Sequence, residues 1–252
     1  MDIKLVARTL DLIELFAAEQ RPLPLAEIAR LLNAPVSSSL ALVRTLVNRG
    51  YLYEVRRRGG YYPTRRLQQL ANAIDAVDPV VEMLHPELVE LRDATGETAV
   101  LGKIHGTAVV YLDVVESKKT VRYSSPPGAL RPLHANSIGK AIFGALSPEA
   151  QQALGAKLAF ERYTEATTTD LATLIDQASA AQARGWYANI GESAPELSAV
   201  AVTLDFGGDL YGLSVVGPTE RIRPHLDEHA AALLQAKQRI LTTWHDTEKT
   251  EL

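Results

Sequence analysis

Two short stretches hold residue types that can make and break bonds. In "SIGK", Ser137 and Lys140 stand three apart. On a helix they share a face, as the nucleophile and lysine of penicillin-recognising acyl enzymes do. Such a site also needs a Lys-Thr-Gly strand and an oxyanion hole. The nearest candidate, Lys119-Thr120, runs on into Val121, and "ANSIG" has alanine where a nucleophile elbow has its first glycine. "HLDEH" sets His225 and His229 one helical turn apart, the spacing of a zinc-protease signature. No downstream helix supplies the third ligand, and an exposed helix face accounts for the pair. The chain has no cysteine, which excludes disulfides and thiolate metal sites. It has no phosphate-cradling glycine loop either, so nothing in it calls for a metal or cofactor. A serine acyl-transfer enzyme built on Ser137 and Lys140, with a basic accessory domain, is the alternative to the reading that follows.

A third concentration of chemistry is electrostatic. "APVSSSLALVRTLVNRGYLYEVRRRGGYYP" (34–63) gathers cations in a chain whose net charge is -4. Up to Leu67 there are eleven Lys and Arg against six Asp and Glu, a balance of +5, and the remainder carries -9. A basic head on an acidic body points to two domains with different partners, the head facing a polyanion. At 252 residues and 46% apolar, the chain is long enough for two such domains. It holds no 18-residue apolar run to span a membrane. Its acid-bearing N-terminus lacks the build of a signal peptide, so the cytoplasm is the expected location.

The elements that must position these residues follow from periodicity. Residues 3–18 carry Leu5, Val6, Leu12, Ile13 and Phe16 at helical spacing, and "RPLP" breaks the run. "LAEIARLL" predicts a short second helix with Asn33 as its left-handed stop. In the third helix Ser37 is the expected N-cap, Ser39, Leu42, Val43 and Leu46 the inner face, and Gly50 the terminator. Two helices around a tight turn, followed by "YLYEV", "RRRGG" and "YYP", predict a winged helix-turn-helix. Its outward face holds Ser38, Leu40, Ala41, Arg44 and Thr45. There Arg44 can meet guanine or phosphate, and Leu40 and Ala41 thymine methyls. Ser37 and Ser38 suit phosphate oxygens, and Arg56, Arg57 and Arg58 on the wing suit the DNA backbone or minor groove.

The predicted domains are 1–64, the winged helix; 65–78, a linker helix; and 79–252, an α+β domain. For the last, the pattern predicts a helix over 80–95 and a hairpin turning at His105-Gly106. It also predicts a third strand in "TVRYSS", helices in "SIGKAIFGAL" and "LATLIDQASAAQARG", a hairpin around Gly207-Gly208, and a long closing helix. Antiparallel strands flanked by helices suit a ligand-sensing domain. Tyr111, Tyr123, Trp186 and Tyr211 are either liners of a pocket or plain core.

These parts, in this order, resemble the IclR family of bacterial transcriptional regulators over nearly the whole chain. The resemblance is carried by "RTLDLIELFA", "LAEIARLL", "TLVNRGYL", "YYPTRRLQQLA", "GETAVLG", "RPLHANSIGKAIFGAL", "ARGWYANIGE" and "LYGLSVVGPTERI". It implies a winged helix-turn-helix, a linker helix and a GAF-like effector domain with an antiparallel sheet, assembled as dimers or tetramers on operator DNA. In family members that hold a small organic acid, N–H groups at the "GK" helix start receive it. Those positions match Ser137 and Ile138, beside Asn136 and Gly139. Further contacts would come from positions matching Asn189, Ser198, Ser214 and Val216. The chain departs from the family's usual residues at several of these places. Ala41 stands for an arginine, Ser39 for a larger apolar residue, Asn189 for an aspartate, Ser198 for a cysteine and Val216 for a serine. Free N–H groups at a helix start favour an anion whatever surrounds them. The expected partners are therefore an inverted-repeat operator and a small, carboxylate-like effector.

Overall fold

Proline and glycine cut the first third of the chain into short helices. The computed structural model describes residues 3–55, 59–75 and 78–250, and the chain forms two compact units, Met1–Asp78 and Pro79–Leu252. In the first unit, α1 (Lys4–Glu19) ends where Gln20 turns left-handed at φ 51°. Pro22 and Pro24 prevent continuation, and Leu23 between them pairs with Tyr61. Helix α2 (Leu25–Leu31) is followed by Asn33 at φ 45°. Helix α3 (Val36–Asn48) starts one residue earlier than its serines suggest. Pro35 is the N-cap residue, with no side-chain cap bond, so Ser37 lies inside the first turn. Proline's fixed φ already suits that entry.

Gly50, at φ 76°, closes α3 with Tyr51 donating back to the Leu46 carbonyl at 2.8 Å. Strands β1 (Leu52–Val55) and β2 (Gly60–Pro63) form the wing hairpin. A Cβ at Gly60 would come within 2.8 Å of the Leu23 backbone, so only glycine lets that third segment join the wing. Helix α4 (Arg66–Asp75) follows. Leu12, Phe16, Leu23, Ile28, Val43 and Leu52 make the core. Each fully buried side chain of this size contributes roughly 1.5–3 kcal/mol.

The second unit begins with α5 (Pro79–Thr95), stopped by Gly96 at φ 71°. Strands β3 (Thr98–His105) and β4 (Ala108–Val115) make the first hairpin. The expected "TVRYSS" strand does not form. The place beside β4 is taken by β5 (Leu130–Pro132). Residues 120–125 instead run irregularly, with Arg122 and Ser124 bonded to Glu116. After a 3₁₀ turn come α6 (Ser137–Ala145) and α7 (Pro148–Gly155), then α8 (Leu171–Gln182). Helix α7 has its own sequence signal, Ser147 as cap and Pro148 at the first turn.

Strands β6 (Tyr187–Ile190), β7 (Leu197–Phe206) and β8 (Asp209–Pro218) complete the sheet. The short α9 (Thr219–Ile222) and the long α10 (Leu226–Thr250) close the chain. The six strands run β5-β4-β3-β8-β7-β6, every described pair antiparallel. Leu88, Leu213, Val215 and Leu233 build the core on one face, under α5 and α10. Val100, Val109, Ile138, Phe143 and Leu174 build it on the other, under α6 and α8. Among the described residues, no helix is long and apolar enough to cross a membrane.

Candidate functional site

The residues expected to meet DNA divide in two. Ser37, Ser38 and Arg44 are exposed on α3, and Leu40 is half-buried. Arg44 has no ion-pair partner among the described residues. Ala41 and Thr45, also exposed, instead border an apolar hollow of about 410 Å³ with Leu5, Thr9 and Ile13 of α1 and Leu67 of α4. The Thr45 hydroxyl bonds back to the Ala41 carbonyl at 2.8 Å. Arg56, Arg57 and Arg58 lie outside the described residues.

In the second unit a cavity of about 300 Å³ opens in front of α6. Six of the residues singled out from the sequence border it: Asn136, Ser137, Asn189, Ser198, Ser214 and Val216. The Ser137 and Ser214 hydroxyls are 3.0 Å apart. Alternation along β7 groups Ser198 with Val200 and Val202, which pack on the other face, and its hydroxyl meets Thr219 at 2.9 Å. Asn189 donates to the Ala135 carbonyl and accepts the Glu192 N–H at 3.1 Å.

The start of α6 is not the open anion cradle expected from the sequence. Asn136 is its N-cap, and its side-chain oxygen accepts the N–H groups of Ile138 at 2.9 Å and Gly139 at 3.2 Å. Ile138 and Gly139 are buried and do not border the cavity. Gly139 has a packing role: a Cβ there would collide with the Leu133 carbonyl. An asparagine just before a helix is a common cap, so this signal stood in the sequence beside the glycine it satisfies.

Lys140 is tied elsewhere. Its ammonium, buried, bonds both Glu192 oxygens, Gln177 at 2.8 Å and Thr168 at 3.3 Å. Burial pushes its pKa down, against Glu192, which holds it up. The base that a Ser-x-x-Lys nucleophile requires is thus committed to a buried ion pair. His229, expected on an exposed face, is buried, with its Nε2 unpartnered. Burial lowers its pKa, which favours the neutral ring. His225 pairs with Glu228 instead. Among the described residues no cluster of three or more His, Cys, Asp or Glu side chains has the arrangement of a metal site.

Three cavity residues escaped or half-escaped the sequence. Tyr111 and Tyr123 border the cavity, while Trp186 and Tyr211 pack in the opposite core. Arg131 borders it as well. It sits in a three-residue strand that carries no periodicity. Burial, then Tyr123, pushes the Tyr111 pKa upward, so the phenol keeps its proton.

Known proteins share both halves of this arrangement. Residues 5–56 match the IclR helix-turn-helix domain, and residues 72–242 match the bacterial transcriptional regulator IclR C-terminal family. The HTH-type transcriptional regulator BhcR of Paracoccus denitrificans is 32% identical over 222 residues, covering 87% of this chain and 79% of its own. The acetate operon repressor of Salmonella typhimurium is 26% identical over 251 residues, covering 97% of this chain and 91% of its own. Among solved structures, an IclR transcriptional regulator from Alicyclobacillus acidocaldarius has a TM-score of 0.80 at 21% identity, covering 97% of this chain and 99% of that one. An IclR homolog from Microbacterium hydrocarbonoxydans complexed with 4-hydroxybenzoate has a TM-score of 0.78 at 21% identity, covering 96% and 99%.

Proposed function

The chain belongs to the IclR family of bacterial transcriptional regulators, and from that premise we propose how it binds its operator and its effector. It is a DNA-binding regulator and not an enzyme. In our reading, α3 enters the major groove of an inverted repeat. Arg44 contacts a base or phosphate, and Ser37, Ser38 and Leu40 sit at the groove wall, while Ala41 and Thr45 stand beside the hollow next to α1. Arg56, Arg57 and Arg58 contact the DNA backbone. Two such helices held about 34 Å apart match half-sites one helical turn from each other. The exposed Leu5, Val6 and Leu10 on α1, with Ile3 just before it, support pairing of two copies, and sedimentation should show at least a dimer.

The effector is a small organic acid in the cavity bordered by Asn136, Ser137, Asn189, Ser198 and Ser214. The observation that carries this reading is that cavity, a hollow of ligand size ringed by polar side chains under the cap of α6. The homolog complexed with 4-hydroxybenzoate supports the carboxylate class. Binding changes DNA affinity only if the ligand prefers one arrangement of the two units over another, transmitted through the helix between them. The test is quantitative binding to an operator fragment with and without residues 1–67, and with candidate acids added. Deletion should abolish specific binding, and one acid should shift it. Unchanged affinity after deletion would exclude the assignment of α3 and the wing.

A further inference from the structure

The hydrogen bonding around the cavity is lopsided. Toward β6, most of the polar side chains already bond within the protein. Asn189 is engaged at both its oxygen and its nitrogen, Asn136 caps α6, and the Ser137 and Ser214 hydroxyls bond each other. Toward β5 they are not. Arg131 donates from Nε to the Tyr123 hydroxyl at 3.2 Å and from Nη2 to Ser125 at 2.9 Å, with a long contact from Nη1 to the Leu130 carbonyl at 3.4 Å. A guanidinium has five N–H donors, so two remain without an acceptor. No carboxylate among the described residues lies within ion-pair distance of Arg131, although Glu97, Glu116 and Glu192 in the same unit each have a Lys or Arg partner and Asp113 bonds His85.

Tyr111 adds a second unsatisfied donor. Its oxygen accepts from the Asn136 amide at 2.9 Å and from the Tyr123 hydroxyl at 3.4 Å. Its own proton is therefore left to give. Every unsatisfied group at this end is a donor, and one is a full cation. Such an end recognises an anion, and a guanidinium favours a planar carboxylate held by two parallel N–H bonds.

Building on the effector reading above, we infer that Arg131 is the specificity-determining residue of the cavity. It takes the carboxylate of a small organic monoanion, helped by the Tyr111 hydroxyl, while the capped start of α6 does not. The Ser137–Ser214 pair has two protons and needs one for its mutual bond. It therefore offers one donor and free lone pairs, which suit a neutral hydroxyl or carbonyl on the same ligand. Pro132, Leu197 and Val216 border the space for its apolar body.

The test uses the full-length protein and acid–amide pairs: benzoate with benzamide, 4-hydroxybenzoate with 4-hydroxybenzamide, and lactate with lactamide. Each is read by thermal shift and then by calorimetry. At least one acid should bind wild type while its amide does not. Arg131→Gln should weaken that acid tenfold or more, Arg131→Lys should fall between, and Tyr111→Phe should weaken it a few fold. Retention within twofold by Arg131→Gln, with loss in Asn136→Ala, would move the carboxylate to the helix start. Equal binding of acid and amide by wild type would make the cavity a neutral-ligand site. Either result overturns this inference and leaves the effector reading standing. Binding of neither member of any pair would count against both. Should Arg131→Gln fail to fold, the wild-type acid–amide contrast and Arg131→Lys still decide.

Discussion

In the first unit Ser39 is the only buried polar residue described, whereas the second buries Glu97, Asp113, His134, Lys140, Asn189, Glu192, His229 and several hydroxyls. On the proposed function, the difference follows from where each unit meets its partner. The winged helix works with its outer surface, so its polar groups stay in water until DNA arrives, and its core is apolar. The sensing unit works with its inside. Its polar groups are withdrawn from water before any ligand enters, so each must be hydrogen-bonded already or be costly. The groups left unsatisfied in such an interior, Arg131 and Tyr111 above all, mark what is missing.

The sharpest way to break this contrast is to remove a polar group from each unit and compare stability. Lys140→Ala leaves Glu192 buried with only Thr168 for support. Breaking such a pair costs about 3–5 kcal/mol. Arg44→Ala should change stability by no more than about 0.5 kcal/mol, as exposed substitutions usually do. Both tryptophans, Trp186 and Trp244, lie in the second unit, so their fluorescence in urea reports that unit directly. If Lys140→Ala unfolds with the wild-type midpoint, the buried pair is dispensable and the contrast fails.

Binding should show the opposite ranking. Arg44→Ala should weaken operator binding by about 1–3 kcal/mol if Arg44 reads a base, with the sensing unit's unfolding unchanged. Titrations on operator and on scrambled DNA separate the cases. A loss confined to operator assigns Arg44 to a base. An equal loss on both, with a flatter salt dependence, assigns it to phosphate.

What the sequence made legible follows the same divide. Apart from α7 and α9, the helices, together with the wing strands and the Gly207-Gly208 hairpin, were readable because periodicity and turn residues are local signals. The resemblance to a family also picked out Asn136, Ser137, Asn189, Ser198, Ser214 and Val216, which border one cavity. Arg131 was not readable. Its inferred role depends on Tyr123, in an irregular segment where a strand was expected, and on there being no carboxylate within ion-pair distance among the described residues. The burial of His229 and the commitment of Lys140 to Glu192 are likewise tertiary facts. The capping role of Asn136 is a different case, since a helix cap is a local signal. The pattern reading places Asn136 beside the site without assigning it the cap.

The smallest expected effect separates two serines that the sequence treats alike. Both stand on the β7–β8 hairpin and both are buried. Ser214 shares the cavity face of β8 with Val216, its hydroxyl against Ser137. Ser198 falls with the outward-packing Val200. Thr219 donates its own proton to the Pro195 carbonyl at 3.0 Å, so the Ser198 hydroxyl must donate to Thr219 and has no proton left for a ligand. Ser214→Ala should therefore weaken the effector response by about 1 kcal/mol, the net worth of one hydrogen bond, or about fivefold in the concentration that half-releases operator. Ser198→Ala should stay within about twofold, its loss appearing as slightly lower stability instead. Equal weakening by both would mean that strand alternation misassigns Ser198 and that β7 contributes a hydroxyl to the ligand. No weakening by either would shift the ligand wholly toward Arg131 and Tyr111, away from the serine wall.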